Sequence, residues 1–380
     1  MKTFVICLDS FKPEYLKSTP FLRELTRDNS WGSLETVFGY TGIGAAIISG
    51  KYPEVTGIWR EFCFSDSSPF KLIRYFESIE HTCLGKVTRL ATDILFNLSR
   101  FMTNHGYYTS TRIIPFSLLP MVEPAMRSAW CQKGCLPVET IFDYLREKKT
   151  NFFYHDWPSV YKNNQRKFSF LQPNNDKFKV DLLLKEIPNH DFFWIRLWNL
   201  DSVSHNNDRG SKPLTSALLE LDNHIKGLFT AMGQEEFKFL LWSDHGMVKV
   251  TRNVDVSKLL SGLESKFLVD STSIRFYNVE PTESMEIMKR LKTTPGYFLD
   301  EGLKKKYKLG KLKKYGELFF LANPGVCFLP NNYSVSTVRG MHGYDPKIPE
   351  QKGIYLTNMI SSGRKDLHIT DLFQVIKSNL

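Results

Sequence analysis

Acidic residues and histidines follow three apolar runs of this sequence, at the points where the runs end. The runs and the residues after them are Phe4–Leu8 with Asp9, Phe192–Leu200 with Asp201 and His205, and Phe237–Trp242 with Asp244 and His245 just beyond Ser243. Aspartate oxygen and histidine nitrogen suit zinc, manganese or iron, and these motifs contain no cysteine. One aspartate at a strand end usually caps a helix, but three such ends, two with histidine, favour a metal site.

The spacing within each pair determines whether its side chains converge. Asp201 and His205 are four residues apart, so a helical turn places both on one face. Asp244 and His245 are adjacent and would diverge along a regular strand. A turn beside Gly246 is therefore expected to direct both toward one ion.

His342 is a further candidate ligand, although it lies 97 residues beyond His245 in the segment GMHGYDP. Catalytic zinc usually has three protein ligands and an open position, whereas Asp201 and His205 supply two. The glycines near His342 permit a close approach of its loop, so we predict it as the third ligand. The other histidines available for this place are His155, His190 and His224.

Thr41 is the candidate nucleophile. It precedes a predicted helix of small residues, Ile43–Ile48, which ends near Gly50. A helix N-terminus attracts anions such as phosphate, and a hydroxyl beside metal ions can lose its proton and attack. The alternative is that Thr41 only caps the helix.

The elements that must position these residues alternate between strands and helices. Asn151–Tyr154 is a fourth predicted strand, and helical periodicity is found at Phe21–Arg27, Pro137–Glu147, Lys179–Glu186, Leu214–Phe229 and Thr370–Leu380. Short apolar strands are typical of a buried parallel sheet. The pattern predicts an α/β fold, a three-layer α/β/α sandwich with a central, mostly parallel sheet. In such sheets ligands bind at the carboxyl ends of the strands, which brings the three motifs to one edge.

Two stretches interrupt the alternation, and we predict one catalytic domain over residues 1–380 with two insertions. Residues of about 60–135 are rich in proline, serine and aromatic side chains and leave the core after the nucleophile helix, so they are interpreted as a substrate cap. Residues of about 249–335 contain a strand (Ser273–Val279) and a helix (Glu283–Leu291) and are predicted to form a small α+β subdomain.

Composition excludes several classes of protein. With 42% hydrophobic and 24% charged residues, the chain is not intrinsically disordered, and no apolar run approaches the roughly 20 residues of a membrane-spanning helix. The N-terminal apolar run is too short for a signal peptide. Six cysteines are too few for a disulfide framework at this length, so we expect reduced thiols and a cytoplasmic protein.

Positive charge is concentrated in one segment. The net charge is +10, and seven lysines lie between Lys304 and Lys314. A solvated surface is the simple interpretation, and an anionic partner is the alternative.

The motifs together, in this order, resemble the alkaline phosphatase superfamily and, within it, the type I phosphodiesterase/nucleotide pyrophosphatase branch. The similar segments are VICLDSF, GYTGIGAAIISGKYPEVTGIW, LDSVSH, SDHGM, GMHGYDP and HITDLFQVI. The resemblance implies two zinc ions, with manganese as an alternative. It implies that Asp9, Thr41, Asp244 and His245 hold one ion and that Asp201, His205 and His342 hold the other.

The resemblance also implies the chemistry, which is hydrolysis of a small phosphate ester through a covalent phosphothreonine on Thr41. An asparagine that binds phosphate oxygen in many relatives is replaced here by Gly42-Ile43-Gly44, so backbone N–H groups are expected to make that contact. Tyr40 is the competing position for the nucleophile. The residues from Thr41 onward lack the C/S-x-P-x-R pattern in which sulfatases form formylglycine, so a sulfatase is not expected.

Diesters are favoured over monoesters as substrates for two reasons. Monoesterases tend to place an arginine on the terminal phosphate oxygens, and here the nearest arginine beyond Thr41 is Arg60. Aromatic residues are also available as an apolar wall for the second substituent of a diester. The candidates for that wall are Trp59, Phe62 and Trp157. A phosphomonoesterase of the same superfamily and a non-catalytic binding protein on this scaffold remain the alternatives. The oligomeric state is not predicted.

Overall fold

The fold is known from a computed structural model that describes residues 1–102, 111, 114–156, 159–167, 173–310 and 313–380. Its strands are β1 (Lys2–Leu8), β2 (Ser30–Glu35), β3 (Phe62–Phe64), β4 (Val122–Pro124), β5 (Phe152–Asp156), β6 (Ser159–Lys162), β7 (Gln165–Lys167), β8 (Phe192–Leu197), β9 (Phe237–Trp242), β10 (Val248–Lys249), β11 (Arg252–Asp255), β12 (Lys266–Asp270), β13 (Ser273–Tyr277), β14 (Gly296–Phe298), β15 (Leu318–Ala322), β16 (Val326–Leu329), β17 (Gly340–Met341), β18 (Gly353–Thr357), β19 (Gly363–Arg364) and β20 (Leu367–His368). Its α-helices are α1 (Pro20–Leu25), α2 (Gly42–Ser49), α3 (Pro53–Thr56), α4 (Cys83–Met102), α5 (Ile141–Glu147), α6 (Asp176–Glu186), α7 (Asn199–Asn206), α8 (Lys212–Met232), α9 (Ser257–Leu260), α10 (Pro281–Leu291), α11 (Glu301–Lys306) and α12 (Ile369–Lys377).

A large central sheet organises the chain, with strand order β19-β2-β18-β9-β1-β8-β5-β6-β7 and β20 also paired with β2. The four central strands β9, β1, β8 and β5 are parallel to one another. Antiparallel strands flank them on both sides, β18 next to β9 and β6 next to β5. The fold is therefore the predicted α/β sandwich built on a mostly parallel sheet.

Strand β1 shows why the sheet has helices on both faces. Its residues are almost fully buried, and they alternate between two apolar cores: Val5 and Cys7 in one, Phe4, Ile6 and Leu8 in the other. The first core is closed by α2, α5 and α12, and the second by α1, α6 and α8. Because side chains alternate across a strand, a run that is apolar at every position requires a helical layer on each face.

The segment predicted as an α+β subdomain contains a four-stranded antiparallel sheet, β12-β13-β15-β14, which packs with α10 around a core of its own. It is joined to the earlier insertion by Arg275. This fully buried guanidinium donates hydrogen bonds to Asp270 Oδ2 (2.7 Å) and to the Phe62 carbonyl oxygen (3.0 Å). The two insertions thus contact each other. The division of the chain into one catalytic domain with two insertions stays a prediction.

Several element boundaries differ from the sequence-based prediction, and two of the differences have a clear local cause. The predicted strand Phe192–Leu200 is too long, because β8 ends at Leu197 and α7 begins at Asn199, so Asp201 lies in the first turn of a helix. Helix α5 begins at Ile141, not at Pro137. Thr140 forms a capping box with Asp143, in which each side chain accepts the other's backbone N–H, and this fixes the start of the helix.

None of the helices in the described part of the chain is both long and apolar enough to cross a membrane.

Candidate metal centre

Three neighbouring strands of the sheet bring the acidic residues and histidines to one edge. Asp9 follows β1, and its backbone N–H donates to the Leu197 carbonyl oxygen at the end of β8 (2.9 Å). Asp244 and His245 follow β9 on the other side of β1. The prediction that these strand ends meet is therefore confirmed as geometry.

The first cluster consists of Asp9, Asp244 and His245, all buried. One ligand atom from each lies within 4.8 Å of the other two. His245 Nε2 is 3.5 Å from Asp9 Oδ1 and 3.6 Å from Asp244 Oδ2. The turn that directs His245 inward depends on Gly246, which lies so close to the Glu350 carbonyl that a Cβ would be 2.2 Å from that oxygen. Two carboxylates and one imidazole form a donor set suited to zinc.

The second cluster consists of Asp201, His342 and, again, His245, with the same 4.8 Å limit between ligand atoms. His342 Nε2 is 3.8 Å from Asp201 Oδ1, and its ring stacks on that of His245 with centroids 3.7 Å apart. His205 was expected here as a ligand. It lies beside this cluster, with Nε2 3.4 Å from Asp201 Oδ2, four residues along α7 as the spacing predicted.

Hydrogen bonds orient two of the three histidines. His245 Nδ1 is 2.9 Å from the Gly246 carbonyl oxygen, and His205 Nδ1 is 2.9 Å from the Gly340 carbonyl oxygen. A ring that donates from Nδ1 to a carbonyl keeps Nε2 free as a lone-pair donor, which is the usual orientation of a metal-binding histidine.

The environments of the rings differ in charge. Burial lowers the pKa of His342 well below its usual value, and the neighbouring His245 and His205 lower it further. Burial also opposes the charged form of His205, but the hydrogen bond and the charge of Asp201 outweigh it, so the pKa of His205 is raised. His342 is therefore neutral at neutral pH, in the form that binds metals.

Unpartnered atoms indicate that the site fits a metal ion. Asp9 Oδ1, Asp201 Oδ1 and His342 Nδ1 are buried and have no hydrogen-bond partner among the described residues. Buried polar atoms without partners are costly and call for an explanation such as an ion. A divalent cation would satisfy the carboxylate oxygens directly.

Arg196 is a member of the site that the sequence analysis missed. It lies in β8, and its guanidinium bridges the two carboxylates of the first cluster. Nε donates to Asp9 Oδ2 (2.8 Å), and Nη2 donates to Asp244 Oδ2. The sequence feature that could have identified Arg196 is that it is a charged residue inside an otherwise apolar strand, five residues before Asp201. Arg196 neutralises part of the acidic charge while Asp9 Oδ1 still faces His245.

Lys179 and Asp156 extend this charged region along the same cavity. Lys179, on α6, is almost fully buried, and its Nζ donates to the Arg196 carbonyl oxygen (2.9 Å). Burial lowers the pKa of Lys179 and raises that of Asp156. Lys179 holds the backbone from which Arg196 projects.

Thr41 stands at the start of α2 and lines the same cavity as both clusters. Its backbone is already helical (φ −68°, ψ −29°), and its side chain makes no capping hydrogen bond within the described chain. The capping alternative is therefore wrong. The neighbouring Tyr40 is engaged elsewhere: its ring lies under the guanidinium of Arg60, and its hydroxyl contacts Thr272 Oγ1 (3.2 Å) and donates to the His342 carbonyl oxygen (3.3 Å).

The cavity has a volume of about 540 Å³, enough for a small phosphate ester. Its aromatic lining is Tyr40, Trp130, Trp198 and Tyr333. The expectation that Trp59 and Phe62 form this wall is wrong, because both are buried in apolar cores that hold the insertions together. Trp157, the third candidate, lies outside the described residues.

Comparisons with known proteins identify the family and the fold. The family model of the type I phosphodiesterases / nucleotide pyrophosphatases matches residues 3–345. No curated protein matches the sequence.

Solved structures share the fold. Murine ectonucleotide pyrophosphatase / phosphodiesterase 5, in an inactive form with a threonine changed to alanine and in complex with AMP, has a TM-score of 0.71 at 15% identity, over 100% of this chain and 95% of that one. The human protein of the same name has a TM-score of 0.69 at 14% identity, over 100% of this chain and 94% of that one. With the family model covering residues 3–345, the chain belongs to the type I phosphodiesterase / nucleotide pyrophosphatase family.

Proposed function

We propose that this phosphoric ester hydrolase cleaves a small phosphodiester through a covalent phosphothreonine on Thr41, with two zinc ions bound at the strand ends. The observation that carries the proposal is that Thr41, whose hydroxyl is not used as a helix cap, lines one cavity with both carboxylate–histidine clusters. The first ion would be held by Asp9, Thr41, Asp244 and His245, and the second by Asp201, His205 and His342.

Bound zinc ions supply positive charge to phosphoryl oxygens and lower the pKa of hydroxyl groups and water. The chain supplies the rest of the reaction. Thr41 Oγ1 loses its proton and forms a bond to phosphorus, while the bond to the leaving oxygen breaks. Water then cleaves the phosphothreonine and restores the hydroxyl. The backbone N–H groups at the start of α2 and its dipole stabilise the charge on the phosphoryl oxygens.

Arg196 provides a reason to retain a phosphomonoesterase as the second candidate function. Its guanidinium lines the cavity and pairs with two carboxylates of the first cluster, so a fixed cation lies in the cavity proposed to bind the substrate. A monoester carries one more negative charge than a diester, and a guanidinium favours the more highly charged group.

The nucleophile is tested by replacing Thr41 and Tyr40 separately and measuring zinc-dependent hydrolysis. We expect Thr41→Ala to reduce kcat by about 10³-fold or more and Thr41→Ser to retain part of it, since serine also offers a hydroxyl. Tyr40→Phe keeps the ring over Arg60 and should leave the reaction near its normal rate. Chelation should abolish turnover and added zinc should restore it. Full turnover by the metal-free protein, or by Thr41→Ala, would refute the mechanism.

Substrate class is tested by comparing bis-nitrophenyl phosphate with mono-nitrophenyl phosphate at saturating zinc. The proposal expects a higher kcat/KM for the diester, and a higher value for the monoester would favour the second candidate. Arg196→Met should lower the monoester rate more than the diester rate. The cytoplasmic location stays a prediction.

A further inference from the structure

Helix α4 directs mainly polar side chains toward the protein, with Phe96 packed on Phe70 as the apolar exception, and it directs most of its large apolar side chains toward solvent. On the inner side, Arg89 Nη2 donates to Glu80 Oε1 (2.6 Å), and Nη1 donates to the Ile114 carbonyl oxygen (2.6 Å). Asp93 Oδ1 accepts from the backbone N–H of Thr111 (2.9 Å). A surface helix ordinarily buries its apolar stripe, so this arrangement is the reverse of the usual one.

The outward side carries a continuous stripe of large apolar residues. Its members are Leu84, Val87, Leu90, Ile94, Leu95 and Leu98, which are between 49% and 65% exposed. Their spacing of three and four residues places them along one side of the helix, over about 20 Å from first to last. The neighbouring 3-10 segment Lys71–Ile79 adds Leu72, Tyr75 and Phe76. We call these nine residues the α4 apolar face.

The exposed apolar residues of the protein are concentrated in the α4 apolar face and are not spread evenly over the surface. Fifteen large apolar side chains are exposed in the described chain, and nine of them belong to this face. The other six are distributed over five elements or loops between Met1 and Val335. Single exposed apolar residues need no explanation, but a contiguous patch of this size marks a surface that binds something.

The charges around the face indicate what it binds. Over residues 71–99, whose exposure the structure describes, the exposed charged residues are Lys71, Arg74 and Lys86 against Glu77. Glu80 and Asp93 are occupied by Arg89 and Thr111 on the inner side. A rim of cations around an apolar stripe complements an anionic surface with an apolar interior.

We propose that the α4 apolar face binds the surface of a membrane that contains anionic lipids. The six apolar side chains of α4 would enter the boundary between headgroups and acyl chains, with Leu72, Tyr75 and Phe76 beside them. The three cations would face lipid phosphates. A second copy of the chain is the less suitable occupant, because each copy carries a net charge of +10 and two such copies repel each other.

The protein as a whole is suited to such a surface. Its net charge is +10, and a basic protein associates readily with an anionic surface. The face is independent of the metal centre, so this proposal does not rest on the proposed function.

Vesicle sedimentation of the full chain tests the proposal. We expect binding to vesicles of phosphatidylcholine with 30% phosphatidylglycerol, weaker binding to phosphatidylcholine alone, and a decrease as salt screens the cations. The double variant Leu90→Glu with Ile94→Glu should lower vesicle affinity at least tenfold, since it places two carboxylates in the stripe. Leu219→Glu, at an exposed leucine on α8, is the matched control and should bind normally. Both positions are exposed, and circular dichroism checks that the variants fold.

Light scattering after size exclusion distinguishes the alternative occupant. Wild-type protein that does not bind vesicles but dimerises, with the dimer dissociated by the double variant, would overturn the proposal in favour of a second copy. A monomer that does not bind vesicles, or vesicle binding unchanged by the double variant, would also overturn it.

Discussion

Arg196 shows how one side chain alters the electrostatics of the whole centre. The carboxylates of Asp9 and Asp244 lie at adjacent strand ends, and like charges this close raise the cost of ionising both. The guanidinium between them offsets part of that cost. The position of Arg196 is fixed in turn by Lys179, whose buried ammonium holds the Arg196 carbonyl. The fixed positive charges of Arg196 and Lys179 therefore lie beside the positions proposed for metal ions.

His155 gives a prediction at this scale. It is almost fully buried in β5, where burial, with a contribution from Lys179, lowers its pKa from 6.5 to about 3. Below pH 6.5 the unfolded chain binds a proton at this histidine and the folded chain does not. We expect the free energy of unfolding to fall by up to about 1.4 kcal/mol per pH unit as the pH drops from 6.5 toward 3.

Urea denaturation between pH 7 and pH 4 measures this effect. In His155→Leu, the free energy of unfolding should lose the part of its pH dependence that comes from the one proton that this histidine binds on unfolding. His81→Gln, at an exposed histidine, is the control and should keep the wild-type slope. Equal slopes for wild type and His155→Leu would contradict the prediction.

At the scale of elements, the short helix α2 determines where the proposed nucleophile lies. Seven of its eight residues are buried, and it packs closely on α12 and on the chain that follows it. Gly42 is its first residue, and a Cβ there would lie 2.7 Å from the Ile58 carbonyl oxygen and 3.0 Å from Trp59 Cα. The first turn of α2 therefore has no room for a side chain at this position.

We predict that Gly42→Ala lowers both stability and turnover, although alanine favours helices. The backbone must shift to relieve the contact, at a cost of about 1–3 kcal/mol. A displacement of Thr41 by even part of an ångström should lower kcat at least tenfold. Thermal unfolding and hydrolysis rates measure the two effects.

The matched control is Gly227→Ala in the middle of α8, where a Cβ would meet no atom within 4 Å. This change should stabilise the protein by about 0.5–1 kcal/mol through helix propensity alone. The prediction fails if the two alanine variants have the same stability.

Elements with a strong local pattern were predictable from the sequence, and elements defined by distant partners were not. Strand β9 was predicted to the residue, and β1 nearly so, because each is a short continuous apolar run. The central-sheet strands β2 and β18 were missed, since β2 contains polar and glycine residues and is held by antiparallel pairing with a strand more than 300 residues away. The outward apolar side of α4 was also not predictable, because periodicity gives the stripe but not the direction in which it points.

The candidate metal ligands follow the same division. The strand-end aspartates and histidines were found because residue type and topology together specify the edge they occupy. The way in which these residues divide into two clusters was harder to predict from the sequence. In the structure His245 belongs to both clusters, and His205 lies beside one of them. Arg196 was missed, since a single charge within a strand does not reveal which carboxylates it will meet.

At the scale of the whole molecule, the proposed ions would connect segments that are otherwise linked mainly through the sheet. Ligand candidates come from the ends of β1 and β9, from α7, and from the loop after β17. Cations at this junction would stabilise the native arrangement because an unfolded chain cannot present these residues together.

Zinc should therefore raise the melting temperature. At 100 times its Kd, each bound ion adds about 2.7 kcal/mol, which corresponds to a shift of several degrees. We expect elemental analysis to find two transition-metal ions per chain. His342→Ala should retain one ion and about half of the shift. His190→Gln is the control, since His190 is a buried histidine outside the clusters. A His342→Ala protein that still holds two ions would exclude His342 as a ligand.

The position of β1 in the sheet has a consequence for how the chain folds during synthesis. This strand leaves the ribosome long before its two neighbours, β8 and β9, which begin at Phe192 and Phe237. At roughly 5–20 residues per second, β1 waits on the order of ten to fifty seconds before its second partner exists. Throughout that time an apolar segment with both edges unpaired is available to other nascent chains. Folding in the cell should consequently depend on a chaperone that binds the β1 segment early and releases it only after the β9 segment has emerged.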